Sequence, residues 1–464
     1  MNASHNNINR RQFLGQASCA AVGSTSLLST ITNLMLTNSA VAQNAANFTD
    51  YRALVCLFLP GGNDSYNLLV PRGAAYSEYE LVRADLALPE SDLLPINPLS
   101  NAGRPLGLHP GSGGLKTLFD QGKAAFVANV GSLARPGTSK ADVDAGNSLP
   151  YGLTSHSDQT EQWQTSIPDT RSGMGWAGRA ADLLESANIN SNVSMNISIS
   201  GNNIWQVGNR VTPYTVNANG ASALNGYKGY GEYDPIRQVA IDSQLAQEYK
   251  NVLEKTYARM KRNSLDAYDM YKAATSNQLP PDNLGTGPLG NQLRQVAKVI
   301  AGRNTLGVKR QIFYVQWGGW DFHDNVIENM ETMIPIVDSA VKAFYDLTVA
   351  MGLANSITLF SASEFGRSLT SNAKGSDHAW GGNQFVVGGA VNGNHIYGTY
   401  PDLYQDNPLD FGRGRLIPTT SVDVLAAELA LWMGVSKTDL PIVLPNISRF
   451  YNLSGSEKPL GFMM

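Results

Sequence analysis

ALVCLFLPGGNDSYN, residues 53–67, is the stretch that decides the predicted fold. Its first seven residues are all apolar, and a run without polar alternation predicts a strand that is buried on both faces, as in a parallel sheet. The proline and two glycines that follow end this strand and let the backbone turn sharply and approach a ligand closely. In open α/β sheets, chemistry gathers just past the carboxyl ends of the strands. Asp64 and Ser65 are therefore the leading candidate functional residues of this loop.

Two later strands are predicted from similar apolar runs, and polar residues follow each of them. The strands lie at residues 311–316 and 356–360, with Asp321 and His323 after the former and Glu364 and Arg367 after the latter. Further strands are predicted at residues 124–130, 192–200 and 384–387, and helices at 76–86, 113–121, 175–184, 235–274, 292–300, 326–352 and 421–433. Alternation of strands and helices favours parallel pairing. We therefore expect an α/β fold with a central, mostly parallel sheet flanked by helices and with loop-rich insertions.

The N-terminal segment has the form of an export signal. Arg10 and Arg11 precede a stretch without any charged residue that runs to Thr49 and contains a small-residue Ala-x-Ala site at residues 40–42. We interpret residues 1–42 as a twin-arginine signal peptide and residues 43–464 as one α/β domain with a helical insertion at about 235–303. This predicts recognition by the twin-arginine export machinery and a periplasmic or secreted protein. Stable membrane insertion is not expected, because no apolar run of about 20 residues occurs.

The composition limits the classes of function. The chain has 464 residues, of which 16% are charged, and a formal net charge of −4. No basic cluster is present in the sequence, which argues against a surface that binds nucleic acid. Of the two cysteines, Cys19 lies in the predicted leader and only Cys56 would remain after cleavage. An internal disulfide is therefore excluded for the mature chain.

Acidic residues and histidines follow the predicted strands in a pattern that suits a divalent metal. Asp64 follows the strand at 53–59, Asp321 and His323 follow the strand at 311–316, and Asp377 and His378 come after Glu364. Carboxylates and imidazoles are the ligands that hard and borderline divalent metals need. We therefore predict a metal site where these three loops meet, at the carboxyl edge of the sheet.

Four motifs carry a resemblance to a known family. They are GGNDSYN at residues 61–67, GGWDFH at 318–323, SEFGR at 363–367 and DHAWGGN at 377–383. Together they resemble the DUF1501 family of exported bacterial proteins over about residues 51–434. That family is similar to the alkaline phosphatase/sulfatase superfamily, whose members have a central sheet flanked by helices and often bind two metal ions, frequently zinc. The resemblance implies an alkaline-phosphatase-like fold and a metal-dependent hydrolase of phosphate or sulfate esters.

The resemblance also implies roles for individual residues. Asp64 resembles the early metal-binding aspartate and Ser65 the nucleophile beside it, while Asp321 with His323 and Asp377 with His378 resemble the middle and late metal-binding pairs. His395 resembles the third histidine of two-metal members, and the setting of His156 between Ser155 and Asp158 makes it a further candidate. Arg367 would hold the oxyanion of a small anionic ester through its planar fork of donors. The expected cofactor is a divalent metal such as zinc, and two ions, one ion or none remain open alternatives.

Each assignment has a structural alternative. Asp64 can cap a helix that starts at Ser65, since Asp is a favoured N-cap residue, and Ser65 can merely form a hydrogen bond after the turn. Glu364 and Arg367 can form a buried ion pair that joins the loops, and His156 can anchor its own loop. At the level of function, the alternatives are a non-catalytic periplasmic or secreted binding or assembly protein with a degenerate site, and a metal-dependent transferase acting on cell-envelope glycans.

Overall fold

The computed structural model describes residues 48–100, 104–189, 192–229 and 231–464. The predicted signal peptide, including Arg10 and Arg11, lies outside the described residues. Thr49–Met464 forms one compact unit. Among the helices of the described segments, none is both long and apolar enough to span a membrane. The division into a leader and one domain stays a prediction.

Fourteen strands occur within the described residues. They are β1 (Arg52–Phe58), β2 (Leu69–Pro71), β3 (Leu94–Ile96), β4 (Leu106–Leu108), β5 (Ala124–Gly131), β6 (Asn196–Ser198), β7 (Tyr214–Thr215), β8 (Arg310–Gln316), β9 (Ile357–Ala362), β10 (Arg367–Ser371), β11 (Ser376–His378), β12 (Gly382–Gly388), β13 (Ile396–Tyr397) and β14 (Thr420–Ser421). Nine of them form the central sheet, in the order β13-β5-β12-β9-β1-β8-β6-β7 with β14 beside β5. The strands β2, β3 and β4 form a small sheet, and β10 pairs with β11.

The central sheet is parallel apart from one strand. β1 runs parallel to β8 on one side and to β9 on the other, whereas β12 runs antiparallel to both β5 and β9. Ala53, Leu54, Val55 and Leu57 have no exposed surface, because β1 lies in the middle of a sheet that is covered on both faces. The prediction of a mixed α/β protein with a mostly parallel central sheet is confirmed.

Helices cover both faces of this sheet. Within the described residues they are Tyr76–Arg83, Gly113–Asp120, Lys140–Asp144, His156–Thr165, Trp176–Leu184, Asp234–Leu245, Val252–Ala274, Pro288–Ala301, Arg303–Leu306, Val326–Ala350, Val422–Met433 and Leu440–Val443. Val55 and Leu57 of β1 share a core cluster with residues of Pro288–Ala301 and Val326–Ala350. Successive side chains of a strand point to opposite faces. On the other face, Phe360 of β9 packs against Trp176, the first residue of the helix Trp176–Leu184, with ring centroids 6.2 Å apart.

The register of the three central strands places their carboxyl ends side by side. Phe58 of β1 is paired with Gln316 of β8 and with Ala362 of β9. The chain therefore leaves all three strands at one edge of the sheet, because parallel neighbours end in the same direction. The loops that follow carry the polar motifs identified in the sequence, and the fold brings them together there.

Candidate metal centre

Four side chains that could bind a metal converge at the carboxyl edge of the central sheet. Asp321 and His323 follow β8, His378 ends β11, and His156 begins the helix His156–Thr165. The Nε2 atoms of His323 and His378 are 3.0 Å apart, and each lies 3.1 Å from Oδ1 of Asp321. Nε2 of His156 is 3.4 Å from Oδ2 of the same carboxylate. His156, Asp321 and His378 form a group whose ligand atoms are close enough together to hold one metal ion.

Each of the three imidazole rings directs its Nδ1 atom toward a protein oxygen. Nδ1 of His156 is 2.7 Å from Oε1 of Glu364, and Nδ1 of His378 is 2.9 Å from the carbonyl oxygen of Thr154. Nδ1 of His323 faces Oδ1 of Asp377 at 3.5 Å. An oxygen acceptor favours the tautomer with hydrogen on Nδ1, which leaves a lone pair on Nε2 of each neutral ring. Metal-binding histidines are typically oriented in this way, so the donor set fits a divalent metal such as zinc.

Neighbouring residues and burial shift the pKa values of these groups. Burial acts to raise the pKa of Asp321, but hydrogen bonds from Arg367 and His378 outweigh it and leave that pKa below its ordinary value. Burial lowers the pKa of His378, which favours the neutral ring that a metal requires. The hydrogen bond to Glu364 raises the pKa of His156. The cluster thus contains an ionised carboxylate beside a ring that resists protonation.

Arg367 supports Asp321 from inside the protein. Its Nη1 donates to Oδ1 of Asp321 at 2.8 Å and to the carbonyl oxygen of Gly61 at 3.2 Å. Nε donates to the hydroxyl of Ser376 at 3.2 Å, and Nη2 donates to the carbonyl oxygen of the same residue. All three nitrogen atoms of the guanidinium therefore have protein partners, and the side chain has no exposed surface. The guanidinium of Arg367 therefore links the loops that carry Gly61, Asp321 and Ser376.

The glycine turn after β1 allows the three loops to meet. Gly61 has a φ of +120°, and a Cβ at this position would lie 2.4 Å from the backbone nitrogen of Asp321. Its N–H donates to Oε1 of Glu364 at 2.8 Å. Thr154 also has a positive φ of 69°, which a β-branched residue rarely adopts, and its carbonyl oxygen accepts from His378. Unusual backbone conformations thus surround the cluster, as they often do at functional sites.

Asp64 and Ser65 are buried in contacts of their own. Oδ2 of Asp64 accepts from Nη2 of Arg83 at 2.5 Å, and neither side chain of this pair has exposed surface. The hydroxyl of Ser65 accepts the N–H of Asn383 at 2.7 Å. Among the described hydrogen bonds and ion pairs of Asp64 and Ser65, none joins either side chain to the histidine cluster. Metal binding by Asp64 and nucleophilic attack by Ser65 stay predictions.

Asp377 and His395 occupy different places relative to the cluster. Oδ1 of Asp377 accepts from Asn372 at 3.0 Å and faces His323, so this carboxylate lies behind one of the rings. His395 precedes β13, and its carbonyl oxygen accepts the N–H of Phe126 near the start of β5 at 3.1 Å. Its Nδ1 is 2.6 Å from the carbonyl oxygen of Gly393.

The structure brings His156 and Glu364 into contact with the cluster, which the sequence alone does not predict. Both are secondary candidates in the sequence, yet His156 faces Asp321 and Glu364 bonds to His156. The only local signal for His156 is Ser155, whose hydroxyl accepts from the N–H of Asp158 and caps the helix. A helix cap indicates a helix start and says nothing of a distant carboxylate.

Comparisons with known proteins give one family and several distant structures. A family model described as "Protein of unknown function (DUF1501)" matches residues 51–437. No curated protein matches the chain. Solved structures that resemble it include "Crystal structure of Ps i-CgsB", at 9% identity over 88% of this chain and 78% of that chain with a TM-score of 0.34. Another is "Structure of BT1596,a 2-O GAG sulfatase", at 9% identity over 88% of this chain and 76% of that chain with a TM-score of 0.32.

Proposed function

Because this chain belongs to the DUF1501 family, whose description leaves the function open, we propose a function from the chemistry of its site. We propose an exported, metal-dependent hydrolase of phosphate or sulfate esters. The observation that carries this proposal is the convergence of three histidine Nε2 atoms on the carboxylate of Asp321, with an oxygen facing each Nδ1. The export part of the proposal, through the twin-arginine machinery to the periplasm or medium, rests on the N-terminal sequence.

The proposed ligands are His156, Asp321, His323 and His378, and the proposed metal is zinc. Three imidazoles and one carboxylate make a donor set that suits zinc. When bound, such an ion supplies Lewis acidity toward a phosphoryl or sulfuryl oxygen and lowers the pKa of a bound water. The side chains of Asp321 and His323 are 44% and 48% exposed, so a small ester can reach the cluster from solvent.

Neighbouring residues orient the proposed ligands. Glu364, Asp377 and the carbonyl oxygen of Thr154 each face one Nδ1 atom, which fixes the ring and keeps Nε2 free. Arg367 holds the carboxylate of Asp321, and its remaining donors are used by Gly61 and Ser376. We therefore assign Arg367 a positioning role in place of the oxyanion-binding role expected from the sequence.

Water is proposed as the nucleophile in place of Ser65. The Ser65 side chain is buried and already accepts a backbone N–H from Asn383, so attack on an ester would require this loop to open. In hydrolysis, the oxygen of water forms a bond to phosphorus or sulfur while the bond to the alcohol oxygen breaks. The alcohol leaves with a proton that originates from the water. This route uses the solvent-facing side of the cluster and leaves Ser65 in place.

The proposal is tested on purified mature protein by elemental analysis and by turnover of aryl phosphate and aryl sulfate esters. We expect about one metal ion per chain, and we expect His378→Ala and Asp321→Asn to lose both the metal and the turnover. His395→Ala is the matched control, because the described side-chain contacts of His395 are with Gly393 and Tyr397 and not with the cluster, and it should keep both. Bound metal without turnover of either ester class would favour the non-catalytic binding protein. Turnover that survives both cluster variants would refute the site.

A further inference from the structure

A partly exposed arginine side chain, that of Arg413, lies next to the candidate metal centre. Nη2 of Arg413 bonds to Oδ2 of Asp377 at 2.5 Å, and the other oxygen of Asp377 faces Nδ1 of His323 at 3.5 Å. The side chain of Arg413 is 58% exposed, whereas that of Arg367 is fully buried. One carboxylate therefore separates an exposed guanidinium from a proposed metal ligand.

The loop that carries Arg413 has a fixed and unusual backbone. Gly412, Arg413 and Gly414 have φ values of +117°, +61° and +66°, and an arginine rarely adopts this left-handed conformation. The loop is pinned to β10, where the N–H of Leu369 donates to the carbonyl oxygen of Gly414 at 2.9 Å. The hydroxyl of Thr370 donates to the carbonyl oxygen of Arg413 at 2.6 Å. A held loop presents its side chain at a defined place, which lowers the entropic cost of binding a ligand there.

The donors of Arg413 are only partly used. A guanidinium has five N–H donors in a planar fork, and such a fork suits a carboxylate, phosphate or sulfate. The carboxylate of Asp377 accepts from Nη2 of Arg413, and the exposure of the arginine side chain leaves further donors facing solvent. Arg367 differs, because each of its three nitrogens bonds to the protein. Of these two arginines, Arg413 is the one with donors open to an anion from solvent.

The local charge balance also favours a negative partner. Asp321 pairs with Arg367 and Asp377 pairs with Arg413, while Glu364 contacts His156. The three carboxylates and two guanidiniums therefore sum to one net negative charge. A divalent cation held by the cluster would turn this into one net positive charge. A cleft of one sign attracts molecules of the opposite charge. The metal-loaded site would therefore attract an ester with more than one negative group more strongly than a simple monoester.

We propose that Arg413 binds a second anionic group of the substrate, adjacent to the ester group at the metal centre. The inference rests on the proposed function and narrows its substrate class to esters that carry a neighbouring carboxylate, phosphate or sulfate. Asp377 and His323 lie between Arg413 and the converging ligand atoms. The group bound by Arg413 is therefore a neighbour of the transferred group and not the transferred group itself.

Two non-hydrolysable probes test this inference on the metal-loaded mature protein: phenylphosphonate and 3-carboxyphenylphosphonate. Calorimetry should show about tenfold tighter binding of the carboxylated probe to the wild type, as expected for a partly exposed charged hydrogen bond. Arg413→Ala should abolish this preference while it leaves the phenylphosphonate affinity and the metal content unchanged. Arg413→Lys should retain part of the preference. Arg210→Ala is the matched control, because that side chain is also 58% exposed and pairs with a half-buried carboxylate, that of Glu185.

The outcomes separate this inference from the proposed function. An Arg413-dependent preference in a protein that hydrolyses neither phosphate nor sulfate esters would reject the hydrolase and support the anion site. Equal binding of the two probes by the wild type would overturn the anion site. So would an unchanged preference in Arg413→Ala, or an equal loss of affinity for both probes. Loss of metal in Arg413→Ala would show that the residue only supports Asp377.

Discussion

Replacement of Glu364 by glutamine tests how the metal centre is oriented. Oε1 of Glu364 accepts the N–H of Gly61 at 2.8 Å and lies 2.7 Å from Nδ1 of His156, and the side chain is buried. Glutamine keeps the shape and one acceptor oxygen but removes the negative charge. A hydrogen bond to a charged group contributes roughly 1 kcal/mol more than a neutral one, so the two bonds predict a loss of about 2 kcal/mol in the free energy of unfolding.

Metal affinity should fall as well, because a neutral amide orients His156 less firmly and lowers its basicity. Loss of such an orienting partner typically weakens metal binding by about 10- to 100-fold, and we expect the lower end because the amide oxygen can still accept. The assay is competition for zinc with a chelator of known affinity, in parallel with urea unfolding of the metal-free protein.

Glu428→Gln is the matched control for this prediction. Glu428 is also buried, and it accepts the backbone N–H groups of Leu460, Gly461 and Met463, each at 3.1 Å. By the same reasoning its three bonds predict a loss of about 3 kcal/mol in the free energy of unfolding, whereas zinc affinity should stay unchanged. Wild-type zinc affinity in Glu364→Gln, or an equal loss of zinc affinity in Glu428→Gln, would contradict this prediction.

Three further predictions follow from other residues. Ser65→Ala should keep kcat within about threefold and lose about 1–3 kcal/mol of stability, because the buried N–H of Asn383 loses its acceptor; a serine nucleophile would instead lose all turnover. Gly61→Ala should lower metal content at least about tenfold, because the added Cβ would displace the backbone of Asp321. The circular dichroism spectrum should be retained, and full metal content would contradict the contact. Burial raises the pKa of Asp423 to about 6, so its stabilising effect is complete below about pH 4 and is lost as the pH rises through 6. Relative to Asp423→Asn, the wild type should therefore lose about 2 kcal/mol of the free energy of unfolding between pH 4 and pH 7 in urea unfolding, and parallel curves would refute the shift.

The parallel core of the fold was predictable because β1, β8 and β9 are short apolar runs separated by helical segments. A crossover helix between two strands allows both to run in the same direction. The one antiparallel strand, β12, follows β9 without such a helix, and the hairpin of β10 and β11 occupies the connection instead. The direction of β12 therefore depends on the connection at residues 363–381, whose polar sequence gave no periodic signal.

The candidate site was predictable only where its residues follow strands. Asp321 and His323 lie in the loop that follows β8, where the N–H of His323 donates to the carbonyl oxygen of Asp321 at 3.1 Å in a tight turn. Within a strand, by contrast, successive side chains point to opposite faces. The same rule explains why Asp377 and His378, adjacent in β11, play different parts: His378 reaches Asp321, while Asp377 lies behind the ring of His323. His156 follows no strand of the central sheet, and its contact with Asp321 depends on tertiary packing alone.

The contact between His323 and His378 argues that a cation belongs in this cluster. Two Nε2 atoms 3.0 Å apart cannot both present lone pairs to each other without a proton or a metal ion between them. A hydrogen on Nε2 of His323 could satisfy that one pair, but Nδ1 of the same neutral ring would then face the carboxylate of Asp377 without a hydrogen. A divalent metal would satisfy the ligand atoms of His156, Asp321 and His378 at once, and this is the physical reason to look for metal before substrate.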